Sequence, residues 1–256
     1  MPAPTPDTVS LLVRRADLLS ELRDAPPGKP ALVDDLPYSR STVDRAVRSL
    51  EDAGLVERNG GVALTLRGRL ALDAFDRFAG NVDAIEAAVP VVEPLPRTAR
   101  IDNALFRGAD VVSATREAPQ RPSTAFLDAA EEMTAYRGYA SAVIPAGVEV
   151  VCDRVVEHGA TADVVMPESA LDELLSSHAD TVEPALETGR LTLREADAGL
   201  EYSLLLVDQP DRTLACALAY GDGGLNGLVK NDRPHAVRWV ESVYEDLRAD
   251  AEPLPA

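Results

Sequence analysis

The chain has 256 residues, 46% of them hydrophobic, and a formal net charge of −18. That is room for one large domain or two ordinary ones and for a sizeable core, which sets aside a disordered chain. Aromatic residues are only 4%, which argues against an aromatic-lined groove for single-stranded nucleic acid. The two cysteines, Cys152 and Cys216, lie in apolar runs without CxxC spacing. This argues against a disulfide framework and a cysteine-based zinc site, and neither a cofactor nor a metal is expected.

The acidity is unusual in kind. Asp and Glu number 43 against 25 basic residues, and Lys29 and Lys230 are the only lysines. Such surfaces resemble those of proteins from salt-accumulating microbes, where a Debye length of about 3 Å at 1 M salt makes self-repulsion tolerable. An acidic interaction surface is the other reading. The opening Met1–Asp7 stretch lacks a basic region followed by an apolar one. Apolar runs such as Leu204–Val207 and Leu214–Tyr220 fall far short of the ~20 residues that span a bilayer. A cytoplasmic protein without a membrane partner is expected.

The charge is also uneven. Residues 1–80 hold 11 basic and 12 acidic side chains, a net of −1, whereas residues 81–256 hold 14 and 31, a net of −17. A segment that approaches a polyanion is expected to escape acidification in this way. The expected division is a domain over 1–80, a helical linker and possible dimerisation region over 81–106, and an α/β domain over 107–256.

In the first third, Val9, Leu12, Val13, Ala16, Leu19 and Leu22 recur at helical spacing. Pro26-Pro27-Gly28 breaks the chain, a short helix fits Ala31–Leu36, and Pro37-Tyr38 forms a turn. Ser39 is the N-cap of a helix over about 40–53, with Val43, Ala46, Val47 and Leu50 inward and Gly54 as its stop. Leu55–Arg58 and Val62–Thr65 read as strands of a hairpin turned by Asn59-Gly60-Gly61. A helix from Leu66 to Phe78, extending toward Val89, carries Leu70, Ala71, Ala74, Phe75 and Phe78 on one face.

The stretch Ser39-Arg40-Ser41-Thr42-Val43-Asp44-Arg45-Ala46-Val47-Arg48-Ser49-Leu50 followed by Gly54-Leu55-Val56-Glu57 resembles the recognition helix and first wing strand of archaeal winged helix-turn-helix regulators. That resemblance implies double-stranded DNA as partner. The physical reading runs beside it. With its apolar residues inward, the helix presents Arg40, Ser41, Thr42, Asp44, Arg45, Arg48 and Ser49 outward. Its first residues suit base edges in a major groove, and its free amides suit a phosphate. Arginine suits bidentate contact with guanine or phosphate. Arg58, Asn59 and Gly60 belong to the wing; Arg67, with Arg69, stands at the hairpin exit within reach of phosphates. The candidate DNA-binding residues are therefore Ser39, Arg40, Ser41, Thr42, Arg45, Arg48, Arg58, Asn59, Gly60 and Arg67. A solvated face with Asp44 and Asp52 paired to Arg48, or a winged helix that docks a protein, are the other readings. Concentrated salt removes the counterion-release term of phosphate binding. Two half-sites held at once would restore affinity, so a homodimer is expected.

Beyond Pro90, Pro94 and Pro96, a helix is expected to resume over Arg97–Leu105. Strands are expected over 109–115, 139–144, 162–166, 191–194, 202–207, 214–219 and 225–229. Helices are expected over 123–134, 148–157, 168–177, 181–188 and 234–248. The alternation implies a mixed sheet covered on both faces, its four closing strands antiparallel. The fold class is a two-domain α/β protein, a winged helix followed by a mixed-sheet effector domain.

Three segments, Gly108–Thr115, Ala162–Pro167 and the closing Gly224–Asp232 with Ala236–Arg248, resemble the middle domain of the archaeal methanogenesis filament-regulator family. They are also similar to the phospholipase-D-like effector domains of sugar-sensing archaeal regulators. The resemblance implies a one-chain regulator whose second domain senses a small molecule or a partner. Catalysis is not expected. Phospholipase chemistry needs a histidine with a lysine two residues on, and His158, His178 and His235 lack it; HExxH, GxSxG, Walker and GxGxxG motifs are absent. Glu131-Glu132 reads as a solvated pair, and Cys152 and Cys216 as structural thiols. The rule that ligands lie beyond the carboxyl ends of strands points to Thr115, Arg121, Ser123 and Thr124 as ligand-binding residues, with Ser123 as a helix cap. Ser141 is expected inside a strand.

Overall fold

The computed structural model describes residues 6–24, 39–196, 199–221 and 224–254. The expected helix over 31–36 and the turn at 37–38 lie outside the described residues. The chain divides into two compact units, residues 1–82 and 83–256.

In the first unit, α1 spans Pro6–Asp24 and α2 spans Arg40–Asp52. The strands β1 (Val56–Arg58) and β2 (Val62–Leu64) pair antiparallel, and α3 begins at Leu66 and runs to Ala87. Ser39 caps α2, its side chain accepting from the Thr42 amide, as its hydroxyl and extended backbone favour. At the other end Gly54 adopts φ +68, and two bonds close the helix: Gly54 N–H to the Glu51 carbonyl at 2.8 Å and Leu55 N–H to the Leu50 carbonyl at 2.9 Å. This is the Schellman arrangement that glycine makes cheap. It turns the chain straight into β1. Val43, Ala46, Val47 and Leu50 join Leu12, Leu18, Leu19, Leu22, Leu55, Val56, Val62 and Leu72 in one core.

Two helical stripes differ from expectation. Arg15 has non-helical φ/ψ and kinks α1, so the buried row passes from Leu12 to Leu18, Leu19 and Leu22 while Val9 and Val13 stay exposed. In α3 the core takes Gly68 and Leu72, with Ala71 and Phe75 against it. Leu66, Leu70, Phe78 and Val82 face solvent instead, Phe78 with 62% exposure. A helix with apolar residues on two sides has two stripes in its sequence, and periodicity alone does not say which one the core takes.

The second unit is an eight-stranded sheet. Its strands are β3 (Asp110–Ser113), β4 (Ala135–Tyr139), β5 (Thr161–Met166), β6 (Leu191–Glu195), β7 (Ser203–Asp208), β8 (Thr213–Gly221), β9 (Gly224–Asn231) and β10 (Glu252–Pro253). The spatial order is β10-β6-β5-β4-β7-β8-β9-β3. β4, β5 and β6 run parallel, joined by α6 (Pro145–His158) and by α7 (Glu168–Ser177) with α8 (Ala179–Glu187). β7, β8 and β9 form an antiparallel meander that joins the parallel half where β7 pairs with β4. The expected antiparallel set therefore loses β6, which pairs parallel with β5 and antiparallel only with the short β10.

Side chains alternate between two cores, as the period of two requires. Leu205, Val207, Cys216 and Leu218 face a layer of α5 (Arg121–Ala130), α6, α7 and α8. Leu204, Leu206, Ala215, Ala217 and Ala219 face the other side, where α9 (Pro234–Asp250) packs. Ala88 and Val91, on and beside the short α4 (Val89–Val92), and Leu105 and Phe106, at a 3-10 turn over Asn103–Leu105, belong to this second core. Residues 97–101, expected to be helical, are not. Asn231, 2% exposed, fastens the turn by donating to the Leu105 carbonyl at 2.8 Å.

The strand expected at 139–144 lies earlier, at 135–139. Within it, Gly138 stands so close to β7 that an added Cβ would sit 2.3 Å from the Leu204 carbonyl oxygen. The glycine that weakens a strand signal is what permits this pairing. Ser141 consequently falls in the connection after β4, not within a strand.

Candidate functional site

On α2 the four buried residues face the core, and Arg40, Ser41, Arg45, Arg48 and Ser49 are all exposed. The helix start is a hydroxyl cluster: Ser39 Oγ lies 3.0 Å from Ser41 Oγ and 2.9 Å from Thr42 Oγ1. The Arg45 guanidinium donates back to the Ser41 carbonyl at 3.3 Å and so stays along the helix surface. Ser49 donates to the Arg45 carbonyl. At the hairpin Gly60 takes φ +71, and the Asn59 amide donates to the Gly61 carbonyl. Arg58 is held at 2.9 Å by Glu51 of α2, which ties the wing strand to the helix. An added Cβ on Gly54 would stand 3.5 Å from an Arg67 guanidinium nitrogen, so Arg67 lies across the helix C-terminus. Thr65 closes this junction by donating to the Gly54 carbonyl and accepting from the Gly68 amide. The structure thus brings Ser39, Arg40, Ser41, Thr42, Arg45 and Arg48 onto one helix surface and Arg58, Asn59 and Gly60 onto the neighbouring hairpin.

In the second unit Arg121 and Thr124 line an open groove with Glu117 and Asp128. Thr115 and Ser123 are not part of that lining. Thr115 Oγ1 accepts from the Ala118 amide, closing a local turn. Ser123 is not the cap: α5 begins one turn earlier, behind Gln120, with Pro122 in its first turn and no side-chain cap. Proline suits the first helical turn because its missing N–H is unpaired there anyway. β3 is the sheet's outermost strand, so its carboxyl end is not where the strand order reverses.

The signal sequence reasoning passed over is at that reversal, between parallel β5 and antiparallel β7 on either side of β4. There an apolar cavity of about 80 Å³ opens; Ser203 and Tyr220 carry hydroxyls at one end of its wall, and Tyr136 contributes a third. Ser203 accepts from the Ser141 amide at 3.0 Å, and its Oγ lies 3.0 Å from the Tyr220 hydroxyl. Burial raises the Tyr220 phenol above its ordinary value. The Cys152 thiol at the cavity wall is pushed up to about 11 by burial, and the Cys216 thiol to about 12. Both are protonated at neutral pH.

Asp163 on β5 is a heavily paired carboxylate. Burial would raise it, but hydrogen bonds from Arg194 at 2.7 Å and Arg248 at 3.0 Å outweigh that and hold it below the usual carboxylate range. It fastens β5, β6 and α9 together. Among the described residues no group of three or more His, Cys, Asp or Glu is arranged to hold a metal, and no helix is long and apolar enough to cross a membrane. His158, Glu131 and Glu132 are exposed.

The molecule is thus a helical unit with a β-hairpin wing followed by a mixed eight-stranded α/β unit. Residues 119–250 match the model for the middle domain of the methanogenesis regulatory protein FilR1, and residues 7–87 match that for the HVO_A0261 N-terminal domain. The chain belongs to the FilR1 middle-domain family. No curated protein matches it. Among solved structures it is similar to TrmBL2, described as an archaeal chromatin protein with a novel mode of DNA binding. That match has 15% identity and a TM-score of 0.44, covering 98% of this chain and 100% of that one. Nuc from Salmonella typhimurium, a phospholipase D family member, is similar at 13% identity and a TM-score of 0.42, covering 58% and 99%. NucT from Helicobacter pylori follows at 8% and 0.41, covering 57% and 98%. None of these structural scores reaches 0.5, and none bears on what this chain binds.

Proposed function

We propose that this protein is a non-catalytic, sequence-specific DNA-binding transcriptional regulator in which α2 enters the major groove and the 59–61 turn forms the wing tip. The observation that carries this reading is the outward face of α2, where Arg40, Arg45 and Arg48 stand exposed beside a hydroxyl-rich helix start. The near-neutral charge of residues 1–80 in a chain of net −18 supports it. So does membership in a family defined by a regulatory protein. Arginines on a helix face meet guanine edges or phosphates, and the free amides at its start meet a phosphate. The second unit binds a small metabolite or partner with unequal affinity for two states and so shifts the population competent for DNA.

The regulator works as a homodimer. The exposed row Leu66, Leu70, Phe78 and Val82 on α3 supports this, because contiguous apolar surface of this kind marks protein contact. It equally favours the second reading, a protein adaptor without DNA binding. The deciding experiment is operator selection from random duplexes by the full chain, followed by affinity across a salt series. The Arg45→Ala/Arg48→Ala variant, still folded by circular dichroism, is expected to lose about 100-fold or more in affinity, at about 1–3 kcal/mol per bidentate contact. Wild-type affinity in that variant would favour the adaptor. Phe78→Glu is expected to halve the mass in sedimentation without unfolding the first unit.

A further inference from the structure

The second unit's apolar cavity has a composition that defines its occupant. Twenty of the described residues line it, and none is charged. Three features decide what fits. Val143, Ile144 and Val148 bring the β4–α6 connection and the first turns of α6 over the sheet, closing one side with aliphatic surface. Phe126 and Tyr136 meet edge to face, with ring centroids 6.5 Å apart, and give a rigid aromatic wall. Ser203 and Tyr220 supply hydroxyls where β4 ends, β7 begins and β8 ends.

The hydrogen-bond accounting at that end leaves capacity for a ligand. Ser203 Oγ already accepts from the Ser141 amide. One proton serves the 3.0 Å contact between Ser203 and Tyr220. If Tyr220 donates, the Ser203 hydroxyl proton remains, directed either to Ser141 Oγ at 3.3 Å or into the cavity, and the Tyr220 oxygen keeps lone pairs. At this end one donor and one acceptor match a hydroxyl or carbonyl, and the Tyr136 hydroxyl is a further neutral partner in the lining. A carboxylate or ammonium ion would lose its hydration and meet no countercharge, a cost of several kcal/mol.

We propose that this cavity is the binding site of a small, uncharged, largely apolar molecule that bears one hydroxyl or carbonyl. The molecule's polar atom sits on Ser203 and Tyr220 and its hydrocarbon part lies against Val148 and Phe126. A cavity of 150 Å³ encloses the six heavy atoms of benzene, so about 80 Å³ encloses about three, and the rest of a six-atom ligand extends into the cavity's open mouth. The cavity lies at the carboxyl end of β4, where the strand order reverses between β5 and β7, the position at which open α/β sheets bind ligands. This deepens the sensing role proposed above and rests on it only for its consequence at DNA. The groove at Arg121 and Thr124 is a poorer candidate for an anion, because Glu117 and Asp128 face it.

The test uses the full chain and two probes of one shape, cyclopentanol and cyclopentanecarboxylate, at pH 7 in calorimetry and thermal unfolding. Cyclopentanol is expected to bind and raise Tm, and the carboxylate is not. Val148→Phe fills the space and is expected to weaken cyclopentanol binding at least about tenfold. Tyr220→Phe keeps the volume and is expected to weaken it about three- to tenfold, one neutral hydrogen bond. Absence of cyclopentanol binding up to its solubility, equal binding of both probes, or unchanged binding in Val148→Phe overturns the proposal. Binding that leaves operator affinity untouched keeps the site and overturns the sensing role. An operator response to small-molecule cell extract that persists in Val148→Phe keeps the sensing role and overturns this cavity as its site.

Discussion

The two units solve opposite problems with the same amino acids. The second unit buries both faces of one sheet, so strands such as β7 and β8 are apolar almost throughout, and its net charge of −17 is carried on what remains outside. Among the described residues the first unit has one core of twelve buried side chains and keeps arginine on α2 and apolar residues on α3 at its surface. Acidity is therefore a property of one part of the chain.

Salt is the sharpest way to break that comparison. Lowering KCl from about 1 M to about 0.1 M lengthens the Debye length from about 3 to about 10 Å. Hydrogen exchange is expected to report unfolding in the second unit first, with α2 and the hairpin protected longer. Simultaneous loss of protection in both units would mean that charge does not separate them. Next in size is Leu50→Ala, which empties the centre of the small core at a cost of about 2–5 kcal/mol. Denaturant melts followed by exchange are expected to show the first unit opening while β7 and β8 stay protected. The smallest effect is acid. Because Asp163 is held below its ordinary value when folded, its contribution is complete above the unfolded carboxylate pKa, about 3.9. It is lost as pH falls through the lower folded value. Asp163→Asn is expected to flatten that acid limb in the second unit alone, measured as Tm against pH.

The sequence by itself determined the helix–hairpin–helix order from Arg40 onward and the outward face of α2. Ser39, Gly54 and the Asn59-Gly60-Gly61 turn are local devices whose geometry follows from a hydroxyl, a missing Cβ and a positive φ. Strict helical spacing at Val43, Ala46, Val47 and Leu50 allows one inward side. Tertiary structure decided the rest, because those features depend on what lies opposite. The kink at Arg15 chose which leucines of α1 are buried, and the core chose Leu72 over Leu70 and Phe78. The β4 strand exists because β7 approaches a glycine that weakens it locally. β6 left the antiparallel set because it found β5, a pairing that no spacing along the chain encodes. The Ser203–Tyr220 wall joins residues 17 positions apart on neighbouring strands beneath α6, and only the packed sheet and helix turn them into one surface.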